Sequence, residues 1–279
     1  DGALVDLLVA PPDDVPLPEA IYRAQAERPL KGLGGVFVSW PGGRGFLRDA
    51  KGVRPGERFL VQVTGFSEPG KAVPVTRRIL FKSRYCIVSP GAPGLNISRS
   101  IRDEARRDTL QLLAHEAGLP DGFGAILRSA SETAQDAEIA ADLAATSETA
   151  LAVTADNGIA PELLLDGPDP ATLAWRDWTD ADDLIEGDAA FAELDLLDRI
   201  EALRMPDVPL AGGAGLVIEP TRALIAVDVN TGPDGSPAAG LTANIAAARA
   251  LPPALRLRGL GGQLPVDLAP APKQDRRQV

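Results

Sequence analysis

Apolar and polar positions alternate in short runs over the first third of the chain, and helical spacing takes over toward the middle and the end. The opening LVDLLVAPP reads as a strand ended by Pro11 and Pro12, followed by a polar, proline-spaced connector through Pro18. From Ala20 the texture changes. AIYRAQAERPLKGLGGVFVSW, GRGFLR, RFLVQVTGF and AVPVTRRI are alternating runs separated by Gly/Pro turns. They predict a small barrel of about five strands, for which an OB-type closure is natural. Gly32, Gly34 and Gly35 permit the close turns and coiling such a barrel needs.

Beyond the barrel, RYCIVSP is strand-like, and Asn96 to Ala117 carries Ile101, Ala105, Leu110, Leu113 and Ala114 at mostly helical spacing. GFGAILRSA predicts a strand with a polar mouth, followed by a long acidic, alanine-rich helix from about Ala134 to Ala152. APELLLDGPDP reads as strand and turn, WRDWTDADDLIEGD as an exposed acidic connector, and FAELDLLDRIEALR as an amphipathic helix. The strands GLVIEP and ALIAVDVN meet at a tight turn near Pro220 to Arg222. A helix then spans about Leu241 to Arg258, and GLGGQLPVDLAP turns into a last strand. There is no internal repeat. APAPKQDRRQV has too little apolar content to finish a domain and the first strand starts without an initiator methionine, so both ends read as trimmed.

The length of 279 residues suits one to three domains, taking about 100 residues for each. Hydrophobic residues at 45% and charged residues at 24% match soluble globular averages, which argues against wholesale disorder and against a membrane protein. No apolar run approaches the roughly 18 residues of a span. The first ten residues lack the basic head of a secretion signal, and a single cysteine, Cys86, excludes an internal disulfide framework and fits a reducing cytoplasm. A net charge of −11 argues at first against a nucleic-acid partner, because phosphate binding is driven by cationic side chains. The average conceals an asymmetry: Ala20 to Arg107 holds 17 Lys+Arg against 6 Asp+Glu, and the rest of the chain 11 against 33. A basic module thus sits in an acidic protein and marks where RNA would lie; a solvated basic face is the other reading.

Candidate chemistry lies at two strand ends. ALIAVDVNTG puts Asp228 and Asn230 two residues apart on one face of a strongly apolar strand. Polar groups at the mouth of a buried strand are costly without a partner, and a hard cation such as Mg²⁺ takes one or two carboxylates and keeps several waters. Asp267 ends another apolar strand 39 positions later, room for a loop, a crossover helix and a return. Parallel neighbours joined that way place both carboxylates side by side. An ordinary capped turn at Asp228 is the alternative. His115 and Cys86 have no triad partners and read as structural, and GLGG and GGRG lack the Lys-Ser/Thr of a nucleotide-phosphate loop.

The succession VIEPTRALIAVDVNTG, the Asn244 helix and LRLRGLGGQLPVDLAP resembles, in order and spacing, the catalytic segment of the ribonuclease E/G family. The resemblance implies a Mg²⁺-dependent endoribonuclease acting on single-stranded RNA, with Asp228 and Asp267 as metal ligands and Asn230 positioning the scissile phosphate. GGVFVSW and GRGFLR resemble the places where the family's S1-type barrel presents aromatics, implying that Phe37 and Phe46 stack on bases. Barrel core is the alternative for both rings. Lys71 in EPGKAVPVT matches an RNA-contacting lysine, and ILRSA a 5′-monophosphate pocket in which Arg128 and Ser129 grip the phosphate. The implied architecture is multidomain α+β: an OB-fold (S1-type) barrel at 19–82 inserted in a ribonuclease-H-like and DNase-I-like scaffold. In it, 1–18 and 156–205 form the ribonuclease-H-like part, 83–155 the 5′-sensor region and 206–279 a truncated DNase-I-like part.

The chain departs from the family pattern in several places. Ser129 and Ser131 stand where threonine and glycine are usual, Pro252 and Pro253 fall inside a helix that is normally uninterrupted, and Pro270 replaces a further aspartate. Proline there predicts a kink or an end to the helix. The cysteine pair of the family's zinc link is missing, so a homo-oligomer would not be zinc-linked. If the prolines displace the second ligand, the chain is an RNA-binding protein without turnover; a purely structural α/β protein is the third reading.

Overall fold

Burial alternates along the strands Val36–Trp40 and Val73–Thr76, whereas Ile21–Ala26 is buried almost throughout, and the strands close on themselves. The computed structural model describes residues 2–29, 32, 34–68, 70–178, 180–187 and 189–272. In it β1 (Ile21–Ala26), β2 (Val36–Trp40), β3 (Gly43–Leu47), β4 (Arg58–Val63) and β5 (Val73–Thr76) run in the order β1-β2-β3-β5-β4, with β4 returning to β1. The result is a closed five-stranded barrel, as an OB-fold requires. Val36, Val38, Trp40, Leu47, Val61 and Val63 fill it, and Tyr22 stacks on Trp40 with ring centroids 4.3 Å apart.

A second sheet follows: β6 (Phe81–Lys82), β7 (Cys86–Pro90), β8 (Gly94–Ile97) and β9 (Phe123–Leu127), in the order β6-β7-β9-β8. Helices α1 (Glu104–Glu116) and α2 (Asp136–Thr154) share its core through Leu110, Ile139 and Leu143 against Val88, Ala125 and Leu127. The helix expected from Asn96 starts only at Glu104. Its first residues belong to β8, and Asp103 sets the start by accepting the Arg106 amide at 2.7 Å. β10 (Glu162–Leu165) extends the barrel sheet beside β1, and α3 (Pro170–Asp177), capped by Asp169, takes in the start of the expected acidic connector.

The expected amphipathic helix near residue 200 is broken into α4 (Ala190–Glu193) and α5 (Leu196–Ala202) by Asp195 at φ 54°, and no α5 residue is buried. β11 (Asp207–Pro209), β12 (Gly215–Pro220), β13 (Ile225–Asn230) and β14 (Val266–Asp267) form a sheet in chain order, with α6 (Pro237–Leu257) between its last two strands. Small α6 residues Ala243, Ala247 and Ala254 share a core with Leu216, Ile218, Val227 and Val229. Pro252 and Pro253 lie inside α6 and do not end it, which overturns the expected end of the helix at this point. The opening LVDLLVAPP is no strand: among the described residues no sheet edge pairs with it, and the Val5 carbonyl accepts instead from Arg256 at 2.6 Å.

The mixed α+β chain divides into two compact units, residues 8–181 and residues 182–279 with the first seven. Among the described residues no helix is long and apolar enough to cross a membrane.

Candidate functional site

β13 and β14 are parallel neighbours, and their register sets Asp228 directly against Asp267. Both residues are exposed, whereas Val227 and Val229 on the other face of β13 are buried, so the pleat turns the carboxylate outward. Asn230, two residues on, donates from Nδ2 to Asp228 Oδ2 at 2.8 Å and steadies that carboxylate. Among the described residues neither aspartate forms an ion pair with a Lys or Arg. Asp207 stands in the same cross-strand row, but Val217 lies between it and Asp228, putting it roughly 10 Å from Asp228. No group of three or more His, Cys, Asp or Glu that could hold a metal occurs among the described residues. Two adjacent carboxylates with open solvent beside them do not make an all-protein cage. They fit a hard ion that keeps its waters and adds a phosphate.

A latch with no counterpart among the sequence-derived candidates holds the second aspartate. Asn244, 2% exposed on α6, donates to the Ala269 carbonyl and accepts the Ala269 amide, both at 2.9 Å. One turn earlier Gly240 lies against the next peptide, where a Cβ would come within 1.9 Å of the Pro270 carbonyl oxygen. The sequence signal is a Gly and an Asn four apart on an alanine-rich helix, one face at i,i+4.

On the barrel, Phe37 and Phe46 are register partners on β2 and β3 and face out of the core, with ring centroids 5.2 Å apart. Neither ring belongs to the buried cluster that fills the barrel. Gly35 makes room for one of them: a Cβ there would meet Phe46 Cζ at 2.6 Å. The Arg44 guanidinium lies 3.8 Å from the Phe37 centroid. The rings line a groove of about 1470 Å³ together with Lys71 and with Phe66, a 53% exposed aromatic that sequence pattern alone does not mark. Six cations and two carboxylates, Asp49 and Glu68, line that groove, so it is basic even though Lys71 pairs with Glu68.

Arg128 and Ser129, at the end of β9, line a separate cleft of about 590 Å³. The guanidinium is engaged there: Nη1 donates to the Ser83 carbonyl at 2.5 Å and Nη2 to Asp177 Oδ1 at 2.6 Å. Asp177 also holds Arg176, whose Nη1 reaches Glu19 at 2.7 Å. Burial raises the Asp177 pKa, but Arg176 and Arg128 outweigh it and hold the carboxyl below its ordinary value. Ser131 is fully buried and donates to the Tyr85 carbonyl at 2.9 Å, which makes it part of the packing beneath the cleft. His115 is exposed on α1, and burial pushes the Cys86 thiol up to about 11, as suits a structural residue.

A model of the ribonuclease E/G family matches residues 81–185 and 182–279. Ribonuclease E of a Nostoc species is 28% identical over 88% of this chain and 44% of its own length, and ribonuclease G of Escherichia coli K12 is 27% identical over 81% and 54%. Ribonuclease E of a Synechocystis species is 27% identical over 76% of this chain and 37% of its own length. The chain spans about half the length, or less, of these curated relatives.

Proposed function

Because the chain belongs to the ribonuclease E/G family, with the match running from residue 81 to its end, we propose that it cleaves single-stranded RNA as a Mg²⁺-dependent endoribonuclease in RNA processing or decay. The observation that carries this reading is the in-register pair Asp228 and Asp267 at neighbouring strand ends. Bound by those two carboxylates, Mg²⁺ would lower the pKa of a water and neutralise charge gathering on the phosphate. The chain's own residues do the positioning. Asn230 orients Asp228, and its second amide hydrogen is available to a phosphate oxygen. The basic, aromatic groove of the barrel holds the strand by stacking and by its field, a mode that tolerates sequence. Arg128 and Ser129 form the site for a 5′-monophosphate. On this reading residues 19–82 are the inserted S1-type barrel of a ribonuclease-H-like and DNase-I-like scaffold, and the protein acts in the cytoplasm.

Two observations weigh against the RNA-binding protein without turnover: α6 is continuous through Pro252 and Pro253, and β14 keeps Asp267 in register. The test is incubation of a 5′-monophosphorylated single-stranded RNA with and without Mg²⁺, followed by analysis of the new ends. Cleavage that leaves 5′-phosphate and 3′-hydroxyl ends and stops with EDTA is the expected result. Asp228→Asn and Asp267→Asn should each lower the rate by about a hundredfold or more while RNA affinity stays near that of the parent. Full activity of either variant, or cleavage that survives EDTA, overturns the assignment.

A further inference from the structure

The cleft proposed to take a 5′-phosphate already contains an anion of the chain itself. Arg128 gives one terminal nitrogen to a backbone carbonyl and the other to Asp177 at 2.6 Å, so its charge is already met by a carboxylate of the chain. Arg84, on the same cleft, is likewise engaged, by Asp180 at 2.5 Å and by the Trp175 carbonyl. The lining holds three guanidiniums, of Arg84, Arg128 and Arg176, against four carboxylates, of Asp177, Asp180, Glu132 and Glu138, so its charge sums to −1. A terminal phosphate brings up to about two negative charges and three acceptor oxygens. It must compete for the guanidinium with a carboxylate that the fold presents at high effective concentration.

We infer that Asp177 is a specificity-determining residue, a built-in competitor for the 5′-phosphate that suppresses preference for monophosphorylated RNA ends. The inference rests on the reading of Arg128 and Ser129 as the 5′-end site. Asp177 lies 49 residues from Arg128, at the last position of α3, where Pro170 and the Asp169 cap fix the start of the helix and Arg176 is anchored to Glu19. Asp177→Asn keeps the size and an acceptor for Arg176 but removes the charge, and it leaves the Arg176–Glu19 pair in place.

The experiment is a fluorescence anisotropy titration of the full chain, in EDTA to prevent cleavage, with one short RNA carrying either a 5′-monophosphate or a 5′-hydroxyl. The parent protein should bind the two within about twofold of each other. Asp177→Asn should favour the monophosphate by about tenfold, as expected when one charge-assisted hydrogen bond to the phosphate becomes available. Adding Arg128→Leu to that variant should return the ratio to near one. An unchanged ratio in Asp177→Asn overturns the inference, as does a tenfold preference that survives Arg128→Leu. If RNA binds equally well with either end throughout, the RNA-binding reading stands and this inference alone fails. If neither RNA binds any variant, both fail. Should Asp177→Asn not fold, as judged by circular dichroism, Asp177→Ser removes the same charge and takes its place.

Discussion

At the scale of single residues, the proposed metal pair is positioned by a side chain outside the pair itself. Asp267 sits in a two-residue strand, and what fixes the chain just beyond it is Asn244, which satisfies both polar groups of Ala269. Leucine at 244 would leave that amide and carbonyl without their partner, at a cost of about 1–3 kcal/mol for each buried group. Asn244→Leu is therefore expected to lower stability to denaturant and to raise the Mg²⁺ concentration needed for half-maximal cleavage, with RNA affinity retained. An unchanged Mg²⁺ midpoint in the folded variant would remove the positioning role. Asn230 differs in kind, because its partner is the carboxylate itself.

At the scale of elements, the hairpin β2–β3 separates the proposed RNA-facing side from packing. Its inward residues Val36, Val38 and Leu47 are core, whereas Phe37 and Phe46 stand on the opposite face beside Arg44. Phe37→Ala and Phe46→Ala should each weaken RNA binding by about 1–3 kcal/mol per stacked base while leaving the thermal midpoint nearly unchanged. Melting curves beside anisotropy titrations check this; a large loss of stability with normal affinity would make the rings structural. The same alternation is why the barrel was legible in the sequence, and the 39-position spacing of two apolar strands is why the Asp228–Asp267 register was. Other features depend on partners that local pattern does not encode. LVDLLVAPP has strand texture but no edge to pair with, and FAELDLLDRIEALR has helical spacing but a left-handed Asp195. Pro252 and Pro253 are tolerated in α6 although propensity argues for a break. The occupation of Arg128 by Asp177 is an interaction across 49 residues that no motif announces.

At the scale of the whole molecule, the unit of residues 8–181 should lose stability in acid. Burial raises Glu19 and Asp177, but Arg176 with Lys82 in the first case, and Arg176 with Arg128 in the second, more than reverse that, so both folded pKa values are depressed. Their stabilisation is fully present above the ordinary values of 4.5 and 3.8 and is lost as pH falls through the lower folded values. Both residues belong to the unit of residues 8–181, as do all three tryptophans, Trp40, Trp175 and Trp178. Tryptophan emission during thermal melts should therefore report a midpoint that is level near neutrality and drops below about pH 4.5. A midpoint flat to about pH 3 would mean that the network contributes nothing to stability. In the other unit, Asp228 and Asp267 are 39 positions apart in the chain and adjacent across the sheet edge. A cation held by both would close that long loop like a clasp, stabilising the fold by binding the folded arrangement and not the unfolded chain, and tying the short outermost strand to its neighbour. The ion proposed for chemistry would then also be a tether, and chelation would loosen the fold as well as stop the proposed cleavage.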